Sequence, residues 1–244
     1  MTAFRSRDSV KMVDAKTVDD AAALKPSARQ RLMDASEQLF AEHGWNAVSI
    51  RTIVAAAGVN LAALHYHFGS KEQLLSEIFA ARAKPIAEER MRLLAEIESQ
   101  GGVPSLERIL EAFLRPALTI GSDQRFGGRA FVKLRARLAT EPEQVSRKIL
   151  AKAFDESSGE FLAALGRALP EIPRADLEWR FHFMLGAMFY TMADAGRIQS
   201  LTDGRCDPGR VEDALAHIIP FLAAGFRSAP NSAVASVKSR RRTK

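Results

Sequence analysis

A glycine turn between two short apolar segments constrains this chain more than any other feature. It lies in SIRTIVAAAGVNLAALHYHFGSK, residues 49–71. Ser49 is a helix N-cap type, and Ile50, Ile53, Val54 and Ala57 follow it at helical spacing. Gly58-Val59 makes a tight turn, and Asn60 caps a very short helix ending near Phe68. Ala55, Ala56, Ala57 and Gly58 are small enough to let the two helices approach closely. Helix, glycine turn and short helix together form a helix-turn-helix unit. The segment carries Arg51, Lys71, His65, His67 and Tyr66 but no acid.

That composition suits a phosphate clamp. From Leu61 to His67 the second helix extends about 10 Å at 1.5 Å per residue, enough to lay one face into a major groove about 12 Å wide. Leu61, Ala62 and Ala63 at its N-terminal end can make only methyl contacts with thymine. His65, Tyr66 and His67 offer N–H and O–H donors to the groove walls without filling the helix with repelling cations. Lys71 adds a charge and a backbone N–H at the start of the next helix, where anions are favoured.

The flanking sequence is helical throughout. Ser27 with Gln30 fits a capping box, followed by Leu32, Ala35, Leu39 and Phe40, and Gly44 stops this first helix. Ser70 with Gln73 opens a helix through Leu74, Leu75, Ile78 and Phe79, which Pro85 is expected to end or kink. Further helices are expected at 86–99, 104–120, 126–139, 142–168, 173–199 and 208–227, with breaks at glycine and proline clusters. Alternating strand patterns are absent. The fold class is all-α with about nine helices. Residues 1–26 read as a flexible arm, 27–82 as the helix-turn-helix domain, 83–228 as a larger helical bundle and 229–244 as a basic disordered tail.

Charge adds less than it first suggests. The net charge is +6, but Lys238, Arg240, Arg241, Arg242 and Lys244 supply all but one of those charges, so the folded body is nearly neutral. The tail adds non-specific phosphate attraction or merely solubilises the terminus. A single cysteine, Cys206, rules out an internal disulfide and any multi-cysteine zinc site. It suits a reducing cytoplasm, and neither a signal peptide nor an uncharged membrane-spanning stretch is visible. No nucleophile elbow, metal-spaced His/Cys cluster or glycine-rich phosphate loop appears, so neither an enzyme nor a cofactor is expected.

Most aromatic residues fall in the C-terminal region. WRFHFMLGAMFYTMADA, residues 179–195, is apolar on more than one face and must be covered twice, once by its own bundle and once by something else. The last helix, with Ile218, Ile219, Phe221, Leu222 and Phe226, is similarly apolar. A symmetric four-helix interface, two helices from each subunit, accounts for both, and Gly186 with Ala187 would allow close contact there.

Residues 29–79 resemble the DNA-binding domain of TetR-family transcriptional regulators. The match lies in the "A..LF...G" end of the first helix, "S.R.I...AGV" in the second and "HF.SKE.L" after the third. The resemblance implies a homodimer binding double-stranded, palindromic operator DNA. It places Arg51 where a guanine-reading arginine can occur, and Asn60, Leu61, Ala62 and Ala63 at base-contact positions. Ser49, His65, Tyr66, His67 and Lys71 fall at backbone-contact positions, and Thr52 completes the set. His65 departs from the tyrosine usual there, and its contact could become pH-sensitive.

The stretches WRFHFMLGA and IIPFLAAGFR are similar to the C-terminal domain of the PsrA-type subgroup, whose named member responds to fatty acids. This implies a small-molecule effector, acyl or otherwise apolar, inside the bundle. Phe113, Phe126, Phe131, Leu134, Phe183, Met184 and Met188 are the candidate lining, and Arg129, Arg135 and His182 the candidate carboxylate anchors. The expected function is a repressor released from its operator by that effector, without a membrane partner. A helical enzyme acting on a small apolar substrate and a nucleoid protein driven by the basic tail are the alternatives.

Overall fold

The computed structural model describes residues 26–120, 128–138, 143–193 and 196–230. The expected arm up to residue 25, the tail from 231 and Phe126 lie outside the described residues. Among those described there are ten helices and no strand. They are α1 (Ala28–His43), α2 (Ile50–Ala56), α3 (Leu61–Phe68), α4 (Lys71–Ser99), α5 (Leu106–Thr119), α6 (Gly128–Leu138), α7 (Glu143–Ala168), α8 (Arg174–Met192), α9 (Arg197–Leu201) and α10 (Val211–Arg227). None of the described helices is long and apolar enough to cross a membrane.

Local chemistry sets the first four starts. The side chains of Ser27, Ser49, Asn60 and Ser70 accept from the backbone N–H groups of Gln30, Thr52, Ala63 and Gln73, at 3.1, 3.1, 2.8 and 3.0 Å. Each cap satisfies a donor that the first helical turn leaves open. Gly44 takes φ +84° and donates to the Phe40 carbonyl, ending α1 in a conformation that disfavours a side chain.

Two boundaries differ from the sequence expectation. Pro85 neither ends nor splits its helix, and α4 continues from Lys71 to Ser99. Leu74, Leu75, Ile78, Phe79, Ala83, Ile86, Arg90, Leu94 and Ile97 are buried along it, and this packing outweighs the one hydrogen bond that proline removes. Residue 82, the expected domain limit, therefore falls inside one rigid element. The helix expected over 173–199 stops at Met192, and α9 begins after Gly196 at φ +75°.

In the small N-terminal unit α1 packs against α2, α3 and α4, burying Leu32, Phe40, Ile53, Leu64 and Phe68. In the bundle α5 is the central element: it touches α4, α7, α8 and α10 and buries Ile109, Leu110, Phe113, Leu114 and Ala117. Its charged residues Glu107, Arg108, Glu111 and Arg115 share the face left outside that core. A second junction joins the two units, because α6 packs along α1 and the rings of Phe131 (α6) and Phe79 (α4) meet at 5.2 Å.

Candidate nucleic-acid interface

The α2–α3 face presents most of the predicted contact residues to solvent. Ser49, Arg51, Thr52, Asn60, Leu61, Ala62, His65 and Tyr66 are exposed, Tyr66 at 86%, while Ala63 and His67 are half-buried. Leu64 and Phe68 turn inward to the core. Two of these residues already hold the backbone. Ser49 caps α2 and shares a 2.8 Å hydroxyl hydrogen bond with Thr52, and Asn60 caps α3.

The close helix approach rests on fewer residues than the sequence suggested. Ala55 and Ala56 are exposed, and only Ala57 is buried. Gly58 takes φ +60°, and a Cβ there would meet nothing within 4 Å, so its role is conformational rather than steric. Arg31 of α1, which sequence reasoning missed, steadies the turn. Its Nε donates to the Ala57 carbonyl at 3.0 Å and its Nη1 to the Pro26 carbonyl at 2.9 Å.

Two predicted phosphate ligands are engaged elsewhere. Lys71 Nζ donates to the carbonyls of Trp45 and Val48 at 2.8 and 2.9 Å and lies 4.2 Å from the centre of the Trp45 ring. It ties the start of α4 to the loop before α2. His65 Nδ1 lies 2.9 Å from the Gly69 carbonyl. A carbonyl only accepts, so Nδ1 carries the proton and the neutral ring leaves Nε2 as an acceptor. Only the imidazolium could bond Gly69 and donate to a phosphate at once.

A charged clamp fixes this face to the bundle-bound helix. Arg82 of α4 reaches Glu37 of α1 with Nη2 and Nε at 2.7 and 3.1 Å from Oε2. Glu37 is buried, and the loss of hydration raises its carboxyl above the ordinary value of 4.5 despite the guanidinium. Nothing in the periodicity marks this pair, since both residues fit solvated helix positions.

The predicted effector residues separate into three groups. Phe113, Phe131, Leu134, Met184 and Met188 are core, each at 1% exposure or less. Arg129 and His182 are exposed, outside the core of the bundle. Phe183 is also exposed, at 63%, and with Trp179, Phe221 and Gly225 lines a groove of about 1010 Å³ between α8 and α10. Of these predicted residues Arg135 alone is polar and buried, as an anchor must be. Among the described residues no group of three or more potential metal ligands occurs.

Comparison with known proteins places this arrangement. The family profile described as bacterial regulatory proteins of the tetR family matches residues 32–78, which hold α2, α3 and most of α1. A second profile, the tetracyclin repressor-like C-terminal domain, matches residues 111–225. The chain belongs to the TetR family of transcriptional regulators.

The homologous families are regulators rather than enzymes. The chain is 37% identical over 95 residues to the dual regulator CecR of Shigella flexneri, covering 36% of this chain and 40% of CecR. It thus spans under half the length of such curated relatives. The fold of Mycobacterium smegmatis AmtR is similar, with a TM-score of 0.57 at 19% identity over 91% of this chain and 98% of AmtR. Bacillus subtilis FadR, solved with stearoyl-CoA, gives 0.56 at 14% identity over 80% and 97%.

Proposed function

We propose that this TetR-family chain is a homodimeric repressor whose α2–α3 face reads an operator and whose bundle takes an apolar effector. The observation that carries the reading is the single exposed face of Ser49, Arg51, Thr52, Asn60, Leu61, Ala62, His65 and Tyr66, without an acid in residues 49–71. Asn60 through Ala63 meet base edges, Arg51 is placed for a guanine, and Ser49 and Tyr66 bond phosphates. His67 stands beside them, edge-on to Tyr66 at 5.1 Å.

The dimer uses the α8–α10 face. Trp179, Phe183, Tyr190 and Phe221 are 60–73% exposed on it, and a monomer seldom leaves so much aromatic surface in water. A two-fold axis there brings α8 and α10 against their copies. Two reading helices then enter successive major grooves about 34–36 Å apart. An effector acts through α4, which carries the reading face at one end and core residues of the bundle at the other; a coupling of about 1–3 kcal/mol suffices for 5–150-fold release.

Capture of genomic DNA fragments on the protein, followed by footprinting, tests this reading. Discrete protected sites whose affinity falls steeply with salt are expected. Uniform protection that disappears on deletion of residues 231–244 would support the nucleoid alternative instead.

Lys71 gives a sharper prediction. Because its ammonium holds two carbonyls, Lys71→Met is expected to lower both thermal stability and operator affinity while leaving the salt slope of binding unchanged. A phosphate-contacting lysine would instead reduce that slope by about 1. Anisotropy titrations at several salt concentrations separate the two.

A further inference from the structure

Two arginines are buried in the bundle, and among the described residues no acid is in ion-pair contact with either. Arg90 of α4 is 1% exposed and Arg135 of α6 is 2% exposed. Arg90 donates from Nε to the Phe113 carbonyl at 2.8 Å and points Nη2 at the Met188 sulfur, a weak acceptor, at 3.5 Å. Nε and Nη1 of Arg135 are buried with no hydrogen-bond partner among the described residues.

Aromatic faces replace the missing acids. The Arg90 guanidinium lies 3.6 Å from the centre of the Phe113 ring, and that of Arg135 lies 4.2 and 4.5 Å from the rings of Phe154 and Phe189. Such faces attract a cation but do not satisfy its N–H donors in the plane of the guanidinium. Met188 and Phe189 are consecutive in α8, so the two guanidiniums converge on one stretch of that helix. Burial pushes Arg135 down to about 9. Burial, with the charge of Arg135 added, holds Arg90 well below the usual arginine range. A core that needed only volume here would be at least as stable with methionine or leucine.

A groove of about 540 Å³ runs between α4 and α7, lined by Ala83, Ala87, Met91, Ile149, Ala153 and Ser157 among others. Neither arginine lines it, and the connection to them runs through neighbouring residues. Ala87 and Met91 flank Arg90 along α4, and the Ser157 hydroxyl donates to the carbonyl of Phe154, whose ring carries Arg135. The volume is within the range that holds a small organic ligand.

We propose that Arg90 and Arg135 together bind the oxyanion head, carboxylate or phosphate, of an amphiphile whose apolar body lies in the α4–α7 groove. The inference rests on the effector reading above and adds the chemical class of the effector. A planar guanidinium presents paired N–H donors to two oxygens of such a head. The site also joins the two elements that touch the reading unit. Arg90 rides on α4, which continues to Lys71, and Arg135 rides on α6, which packs along α1. An anion drawing both arginines to itself biases α4 and α6 together.

Calorimetric titration of the full chain, without DNA, tests this with sodium laurate, dodecyl phosphate, inorganic phosphate and neutral dodecanol. Laurate or dodecyl phosphate is expected to bind saturably, with dodecanol at least tenfold weaker. Arg135→Met and Arg90→Met should each weaken the anion at least tenfold, while ligand-free Arg135→Met melts no lower than the parent chain. Should the methionine variants fail to fold, Arg135→Gln carries the same affinity comparison. Equal affinity for laurate and dodecanol, undiminished binding by the variants, or no binding by any anion would overturn the proposal. Inorganic phosphate binding as tightly as dodecyl phosphate would overturn the amphiphile. Because DNA is absent, failure here leaves the operator reading standing, and failure of the fragment capture leaves this titration readable.

Discussion

Replacing Phe221 by glutamate is expected to convert the proposed dimer to a monomer and to weaken operator binding by roughly 10²–10⁴-fold. The magnitude is that of losing a second linked binding event, since each reading helix then finds its half-site alone. Phe221 is 72% exposed on α10, so a charge there costs the isolated subunit little. Burying that charge opposite its own copy in a two-fold interface is costly. Light scattering and anisotropy read the two effects, and circular dichroism should show unchanged helix content. Leu201, 74% exposed on α9, is the control: Leu201→Glu should leave mass and affinity as they were. A Phe221→Glu variant that stays dimeric with full affinity would show that the interface lies elsewhere.

Arg82→Ala carries the second large effect. It leaves Glu37, 3% exposed, without the bidentate guanidinium that now meets it. Removing one partner of a buried pair costs about 3–5 kcal/mol, on the order of 10 °C in Tm for a chain of this size. The loss depends on pH with a definite sign. The folded-state pKa of Glu37 is raised above 4.5 by burial, so the protonated form is the better tolerated one. The stability it contributes is fully present below 4.5 and is lost as pH rises through the raised value. Without Arg82 the raised value moves higher still. The gap in Tm between variant and parent should therefore be small near pH 4 and reach its full size at neutral pH. Adding Glu37→Gln to Arg82→Ala should restore most of it, because no buried charge then remains. A gap that does not change with pH would mean that the clamp acts through packing alone.

The parts of this fold legible in the sequence are those that local chemistry dictates. Ser27, Ser49, Asn60 and Ser70 announced four helix starts because a capping side chain acts within three residues of itself. The short α3, ending at Phe68, followed from its cap at Asn60. What the sequence concealed depends on partners distant in the chain. Pro85 reads as a break until the buried residues on both sides of it are seen to share one core. Lys71 and His65 read as phosphate ligands because their carbonyl partners, at positions 45, 48 and 69, carry no side-chain signal. Glu37 with Arg82, and Arg90 with Arg135, look like ordinary solvated helix charges until the packing encloses them. Phe183 reads as pocket or interface equally well, and only its exposure assigns it to the outer face.

Selection of binding sites from a random-sequence duplex pool tests the central claim most directly. If two α2–α3 faces are held rigidly apart by paired α8 and α10 helices, the enriched DNA must contain inverted repeats. Their half-site centres should lie one helical turn apart, about 34–36 Å or 10–10.5 base pairs. Enrichment of isolated half-sites, of repeats at variable spacing, or of no sequence at all would contradict it.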